Sequence, residues 1–475
     1  MGTGIGKARV LGEYRYVSGR RGERARTHTH MAPGLAVLNP FLKSEEYANV
    51  PTKTGNGPQC SDRDGDSPCW DYPALFSGGS ILPKELWSDN NANMPGTRLI
   101  VVTDRGMNGD CTGGHSFWVP RFAPTLVEIV LDSATNKSVV NDICFLMDYK
   151  SRAITGTANS AYNRDDSFDM ECSPLKYDAR GLDSEAIAPI PGTNYCLLGE
   201  EMGPSVAIVS CNFKKGACGK VLVRYVPEGS DLVDLDTGAT AISAILPAAW
   251  RNKRPNRGIK SVAVSPDGKT AFVHMQSAMG GKAYDVSHAI TVANLDLTKP
   301  RHAKLAGAYL YVNSRMDLTN ETTWGWSTNP KDTKISETTW ASVEAGKGAN
   351  ADVLLVDERA TKQVKVFLAD YSKATDISAF LAEDPMVFDA IWNDGYEAGM
   401  ARLAEMGVVP VKKALVLDAA YGIEGFTGTD KQELCLPLNK CVLAMGDDND
   451  FGIGNTNASQ LNVIQLDRCL DEIDL

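Results

Sequence analysis

KSVAVSPDGKTAFVHMQ, residues 260–276, is the stretch whose reading decides the fold. Val262 to Val264 form one short apolar run and Ala271 to Val273 another, and Ser265, Pro266, Asp267 and Gly268 lie between them. Proline presets the backbone for a turn, glycine tolerates a left-handed conformation, and serine and aspartate side chains bond to nearby backbone, so the unit reads as a β-hairpin. A polar pair, Lys260 and Ser261, begins it, and Gln276 ends it 16 positions after Lys260.

Similar short, β-branched runs recur at 99–106, 125–132, 195–201, 206–211, 220–226, 289–297, 352–359, 363–371, 413–420, 441–447 and 460–466, each bounded by turn residues. Strands this numerous, without alternating long helices, predict an all-β chain. At 475 residues a single sandwich would be unusual, whereas a β-propeller grows by adding units. The expectation is a propeller-like domain of six or seven blades over residues 73–475, preceded by an extension over 1–72. Residues 377–406 are the exception: Phe380, Leu381, Phe388, Ile391, Trp392, Met400 and Leu403 follow a helical period, predicting an inserted helical hairpin broken at Asp394 and Gly395.

SEAIAPIPG (184–192) and IEGFTGTDK (423–431) resemble the opening of the 260–276 unit, and Glu201 follows Glu185 by the same 16 positions. If such units are parts of blades, equivalent positions point to one axis, and acids distant in sequence gather at one end of a channel. Two further stretches are dense in carboxylates. In CVLAMGDDNDFG (441–452) an apolar run ends in Asp447, Asp448, Asn449 and Asp450. In CSDRDGDSPCWD (60–71) Asp62, Asp64 and Asp66 alternate around Gly65. Oxygen-only donors at this density suit a hard cation such as calcium, although position twelve from Asp62 is Pro73, so the EF-hand pattern fails.

A net charge of −11 argues against a nucleic-acid binder, whose affinity depends on neutralising phosphates. No apolar run approaches the roughly 20 residues of a spanning helix. Eleven cysteines include three close pairs, Cys60 with Cys69, Cys211 with Cys218 and Cys435 with Cys441, each expected to close a turn as a disulfide in a secreted, periplasmic or other oxidising compartment. Sequons at Asn136, Asn320 and Asn457 are compatible with that route. Residues 1–34 are arginine-rich and lack the apolar core of a signal peptide, so either the export signal lies upstream or the chain is not exported; an organelle transit segment is a further reading.

The motifs TDRGMNGD (103–110), SEAIAPIPG with LLGEEMGPSV (197–206), NRGIKSVAVSPDGKTAFVHMQSAM (256–279), LLVDERA (354–360), and IEGFTG with GDDNDFG (446–452) together resemble the phytase-like domain, also called the esterase-like activity of phytase family. The resemblance spans about 76–466 and implies an exported, propeller-like hydrolase of phosphate or carboxylate esters. Position by position it implies functional roles for Asp104, Arg105, Glu185, Glu201, Arg257, Glu358, Arg359 and Glu424, and for the Asp448 to Asp450 segment. One departure stands out: Lys260 and Ser261 occupy the place of an expected Glu-Gly, exchanging a carboxylate for an ammonium.

The catalytic set is therefore Asp104, Arg105, Glu185, Glu201, Arg257, Glu358, Arg359 and Glu424. The expected metal ligands are Asp448, Asp450, Glu424 and Glu185, with Asp62, Asp64 and Asp66 as a separate loop, and the expected metal is Ca2+. Carboxylates holding a cation beside arginines suit water attack on a phosphomonoester or phytate-type substrate. Asp104 with Arg105, and Glu358 with Arg359, could instead be ion pairs tying blades together. The alternatives in function are a non-catalytic propeller binding an anionic ligand or partner, which Lys260 favours, and a lactonase-like propeller hydrolase. No GxSxG elbow occurs, and of six histidines only His115, beside TDRG, is a candidate acid or base. The small anionic or phosphorylated substrate is not further specified, and oligomeric state is not legible.

Overall fold

The computed structural model describes residues 8–16, 77–90, 95–132, 137–160, 166–215, 218–235, 240–314, 330–341, 353–360, 363–418, 423–424, 431–448 and 460–475. They are mostly β and fall into several sheets. The first four-stranded antiparallel meander is β2 (Gly78–Ile81), β3 (Thr97–Val102), β6 (Thr125–Asp132) and β7 (Lys137–Phe145). The second is β9 (Ser184–Pro189), β10 (Tyr195–Glu200), β11 (Ser205–Ser210) and β12 (Val221–Pro227), with β13 (Ala241–Leu246) added in parallel. The third is β14 (Ile259–Val264), β15 (Thr270–Met275), β16 (Ala289–Asp296) and β17 (Lys304–Val312). The fourth is β18 (Lys334–Trp340), β19 (Val353–Ala360), β20 (Gln363–Asp370) and β21 (Lys412–Asp418).

The fifth is β23 (Gln432–Asn439), β24 (Val442–Asp447), β25 (Gln460–Gln465) and, from the start of the chain, β1 (Ala8–Tyr16). The stretch read from sequence as part of an extension thus supplies a strand to the last meander. β1 also pairs in parallel with β22 (Ile423–Glu424) and, over two residues, with β7. A small separate sheet is formed by β4 (Asn108–Cys111), β5 (Gly114–Phe117) and β8 (Asp166–Phe168).

The 260–276 hairpin shows why these units form. Val262 pairs with Val273 and Val264 with Ala271. In the turn, Gly268 has φ of 71° and donates its N–H to the Ser265 carbonyl, while Ser265 Oγ accepts from the Lys269 and Thr270 amides. Most of β14 and β15 is buried, because both faces of the meander pack on neighbours.

The apolar clusters lie between successive meanders. Ile100, Val102 and Leu126 pack with Ile187, Leu198 and Val209; the second, third and fourth meanders share a large core including Trp250, Phe272, Tyr311 and Leu354. Leu355, Val366 and Leu368 pack with Leu443, Met445 and Ile464, and Leu434, Ala444 and Leu461 return to Leu99, Val127 and Ile129. The first strands neighbour one another in the order β2, β9, β14, β18, β23, and β23 also neighbours β2.

The helical span contains α1 (Ser378–Glu383) and α2 (Tyr396–Glu405), with Gly395 at φ 97° preceding α2. Phe388, Trp392 and Leu403 anchor it in the large core. No helix among the described residues is long and apolar enough to cross a membrane.

Among the described residues four disulfides join Cys111 to Cys172, Cys144 to Cys218, Cys196 to Cys211 and Cys441 to Cys469. Two of the expected close pairs are therefore wrong. Cys435 is a buried free thiol whose register partner across β23 and β24 is Met445, which keeps it from Cys441. Cys211 leaves β11 beside β10 and meets Cys196, leaving Cys218 to Cys144 of β7. Cys60 and Cys69 lie outside the described residues.

Candidate functional site

Antiparallel pairing places the start of each first strand beside the end of the second. The Glu201 N–H donates to the Asp183 carbonyl, the Gln276 N–H to that of Gly258, and the Asp448 N–H to that of Lys431; Lys334 and Arg359 are register partners. Two glycines let adjacent meanders close up here. A Cβ on Gly78 would lie 2.3 Å from the Glu185 carbonyl oxygen, and one on Gly258 would lie 1.8 Å from that of Glu201.

Three buried carboxylates, Asp104, Asp183 and Glu185, each offer an oxygen within 4.8 Å of the others. Asp104 follows β3, Asp183 precedes β9 and Glu185 lies on it, so two meanders build the cluster. Arg105 reaches across it: its Nη1 is 2.9 Å from Asp183 Oδ2, its Nε 3.9 Å from Asp104 Oδ1, and it donates to Asn256 Oδ1. Among the described residues neither Asp183 oxygen accepts a hydrogen bond of good geometry, and Glu201 Oε1, also buried, accepts none. Burial first, and then the charges of Asp104 and Glu201, push the Asp183 carboxyl well above its ordinary range against the pull of Arg105. Burial likewise pushes Glu185 up, Lys260 opposing and Asp104, Glu433 and Glu201 adding to the rise.

Lys260 links this cluster to the fifth meander. Its Nζ lies 2.6 Å from Glu185 Oε2 and 3.2 Å from Glu433 Oε2, and Arg359 Nη2 lies 2.5 Å from Glu433 Oε1. Burial would raise the Glu433 carboxyl, yet Lys260, Arg359 and Lys431 outweigh it and hold it at about 2. The same acids keep Lys260 well above the usual lysine range despite its burial.

The sequence-predicted residues divide accordingly. Asp104, Arg105, Glu185 and Glu201 come together, and Arg359 and Arg257 lie on the cationic side, where Arg257 donates to the Lys331 carbonyl. Glu358 does not join them. Strand alternation turns it to the opposite face of β19, where it accepts from Tyr311 Oη (2.6 Å), Lys413 Nζ (2.5 Å) and the Ser314 amide (3.0 Å), so Glu358 and Arg359 form no ion pair with each other. Asp448 is buried beside Lys431 and is not in the three-carboxylate cluster. Glu424 is described only as backbone, in register with Arg9. Asp450, Asp62, Asp64 and Asp66 lie outside the described residues. His115 sits on the small sheet, 3.8 Å from Asp110.

Sequence reasoning missed Asp183, Glu433 and Lys334. Asp183 sits one residue before the SEAIA motif, a signal within reach, whereas Glu433 and Lys334 belong to stretches without a distinguishing pattern.

The model of the phytase-like family, described as esterase-like activity of phytase, matches residues 86–451. The chain belongs to this family. No curated protein matches this phytase-like chain. Among solved structures it is similar to the periplasmic gluconolactonase of Pseudomonas aeruginosa, at 10% identity over 82% of this chain and 88% of that one with a TM-score of 0.31. It is also similar to hydrazine synthase of Kuenenia stuttgartiensis (11%, 83% and 96%, 0.35) and to the β-propeller domain of Cps50 (Swd1) from Myceliophteria thermophila (10%, 82% and 70%, 0.27). Similarities this distant say nothing of function.

Proposed function

We propose that the phytase-like chain is an exported ester hydrolase acting on phosphomonoesters, built as a propeller whose five meanders are its blades, fewer than the six or seven expected. The observation that carries this reading is the division of one mouth into a carboxylate half (Asp104, Asp183, Glu185, Glu201) and a cationic half (Arg257, Lys260, Arg359). The four disulfides support an oxidising compartment.

The carboxylate half fits a hard cation such as Ca2+. Among the described residues the two buried Asp183 oxygens accept no well-aligned hydrogen bond, and although Arg105 pairs with one of them, Asp183 and Glu185 are held above their ordinary range by burial and by neighbouring carboxylates, a strain that a bound cation relieves. Asp104, Asp183 and Glu185 would hold it, and when bound it supplies positive charge to polarise a phosphoryl oxygen. Arg257 and Arg359 hold the remaining phosphate oxygens. Glu201 accepts a proton as water attacks phosphorus; the ester P–O bond breaks and the alcohol leaves with a proton from solvent.

Hydrolysis of phytate, simple phosphomonoesters, carboxylesters and lactones, each with calcium or with chelator, tests this. Calcium-dependent release of phosphate, lost in Asp183→Asn, is the expected result. Turnover of lactones alone would replace the reading with a lactonase, and no turnover would leave an anion-binding propeller. One observation favours that last alternative: Lys260 already neutralises Glu185 and Glu433 where a further acid would extend a metal site.

A further inference from the structure

Lys334 is the first residue of β18 and stands in register with Arg359 of β19. Among the described residues its ammonium makes no hydrogen bond or ion pair. The cations around it are already tied to protein oxygens: Arg359 donates to Glu433 and Arg257 to the Lys331 carbonyl. Among the described residues the half-buried Lys334 has no acid partner, and the like charges of Arg257, Arg359 and Lys431 disfavour its ammonium in the free protein. Burial first, and then repulsion from Arg359, Arg257 and Lys431, pulls the amine down to about 7, with Glu201 opposing them.

We propose that Lys334, with Arg257 and Arg359 beside it, is the recognition residue of a subsite for a doubly charged oxyanion, a phosphate or phosphomonoester group. This deepens the reading given above, because it assigns the phosphate-holding half of the same mouth. A dianion supplies the partner that Lys334 lacks. It also explains the cation excess: each further cation costs stability until a ligand carrying two charges binds, and the ligand then recovers that cost as affinity. Arg359 of β19 stands in register with Lys334, and the other charges acting on it are Arg257 and Lys431, from the segments preceding β14 and β23, and Glu201 following β10. Binding therefore draws a proton onto the amine near neutrality, and affinity falls as pH rises above about 7.

The test is calorimetric titration of the full chain, held in chelator so that no turnover occurs, with inorganic phosphate and separately with phenyl phosphate. Both are expected to bind, at least tenfold more weakly in Lys334→Met and within about threefold of the unmodified chain in Lys334→Arg. The ligand's own second ionisation is common to both proteins, so the readout is their difference: between pH 7 and pH 8.5 affinity is expected to fall in the unmodified chain relative to Lys334→Arg. Tighter binding of phenyl phosphate than of phosphate identifies the ester as the physiological source; the reverse order identifies free phosphate. Thermal melts of both variants establish that they are folded. Equal affinity of Lys334→Met and the unmodified chain, or no binding by the unmodified chain, overturns the proposal. Binding without hydrolysis of any ester leaves the subsite standing and removes only the hydrolase reading.

Discussion

Lys260 Nζ lies 2.6 Å from Glu185 Oε2, joining the second and third meanders through a buried ion pair, and the same ammonium reaches Glu433 of the fifth at 3.2 Å. Removing one member of a buried pair leaves an uncompensated charge, a loss of about 3–5 kcal/mol. Lys260→Met is therefore expected to lower stability by roughly this amount at neutral pH. Its pH dependence follows from linkage. Without the ammonium, Glu185 sits further above its unfolded value, so the folded state takes up more protons than the unfolded one and the variant loses stability as pH rises. Urea unfolding at pH 5 and pH 8 should show the larger deficit at pH 8; a deficit independent of pH would contradict the pairing.

Asp183 gives a second prediction. Replacing it with asparagine keeps the volume but removes one of three carboxylates, and calcium affinity follows the number of charged oxygens. Calcium titration into chelator-treated protein should show at least a tenfold loss in Asp183→Asn. Glu358→Gln, whose side chain lies on the other face of β19, should bind calcium as the unmodified chain does. Equal losses in the two variants would mean that the effect is general destabilisation.

The hairpins were legible because their signals are local. Ser265 to Gly268 carry the chemistry of one turn, and the apolar runs on either side can pair only by forming it. The acids Asp104, Glu185 and Glu201 were legible because they end or begin such runs. What lay beyond the sequence depends on which meander neighbours which: Glu433 matters only because the fifth meander brings it to Lys260, and Cys196 meets Cys211 across two strands. Glu358 is different, since its neighbour Arg359 already points to the mouth and the two-residue period of a strand sends adjacent side chains to opposite faces.

Asp389 predicts a pH effect away from the mouth. It is buried between the helical insertion and the third meander, accepting from the Met279 amide and Ser287 Oγ at 3.0 Å each. Burial pushes its carboxyl up to about 7, against the hydrogen bonds and Arg254. With the folded value raised above the unfolded one, its contribution is fully present below about pH 4 and is lost as pH rises through about 7. Asp389→Asn keeps an acceptor oxygen and cannot ionise. Its stability relative to the unmodified chain should therefore improve between pH 5 and pH 8 in thermal melts; parallel curves would show that Asp389 does not titrate there.

Lys413 separates structure from function on the far face of β19. Its Nζ donates to Glu358 Oε1 (2.5 Å), the Val312 carbonyl (2.7 Å) and Ser314 Oγ (3.1 Å), and it sits over the Tyr311 and Phe367 rings at 4.5 and 4.6 Å. Glu358 therefore ties β19 to β17 and β21 and takes no part in the mouth. Lys413→Met leaves the Glu358 charge buried with only Tyr311 and the Ser314 amide as donors, and is expected to destabilise the fold by about 3 kcal/mol or more. The double variant with Glu358→Gln removes that orphaned charge and should recover part of the loss. Phosphate affinity, measured below the melting temperature of each variant, should not change. A loss of affinity in Lys413→Met matching that of Lys334→Met would place Glu358 back in the functional site, despite the strand alternation that turns it away.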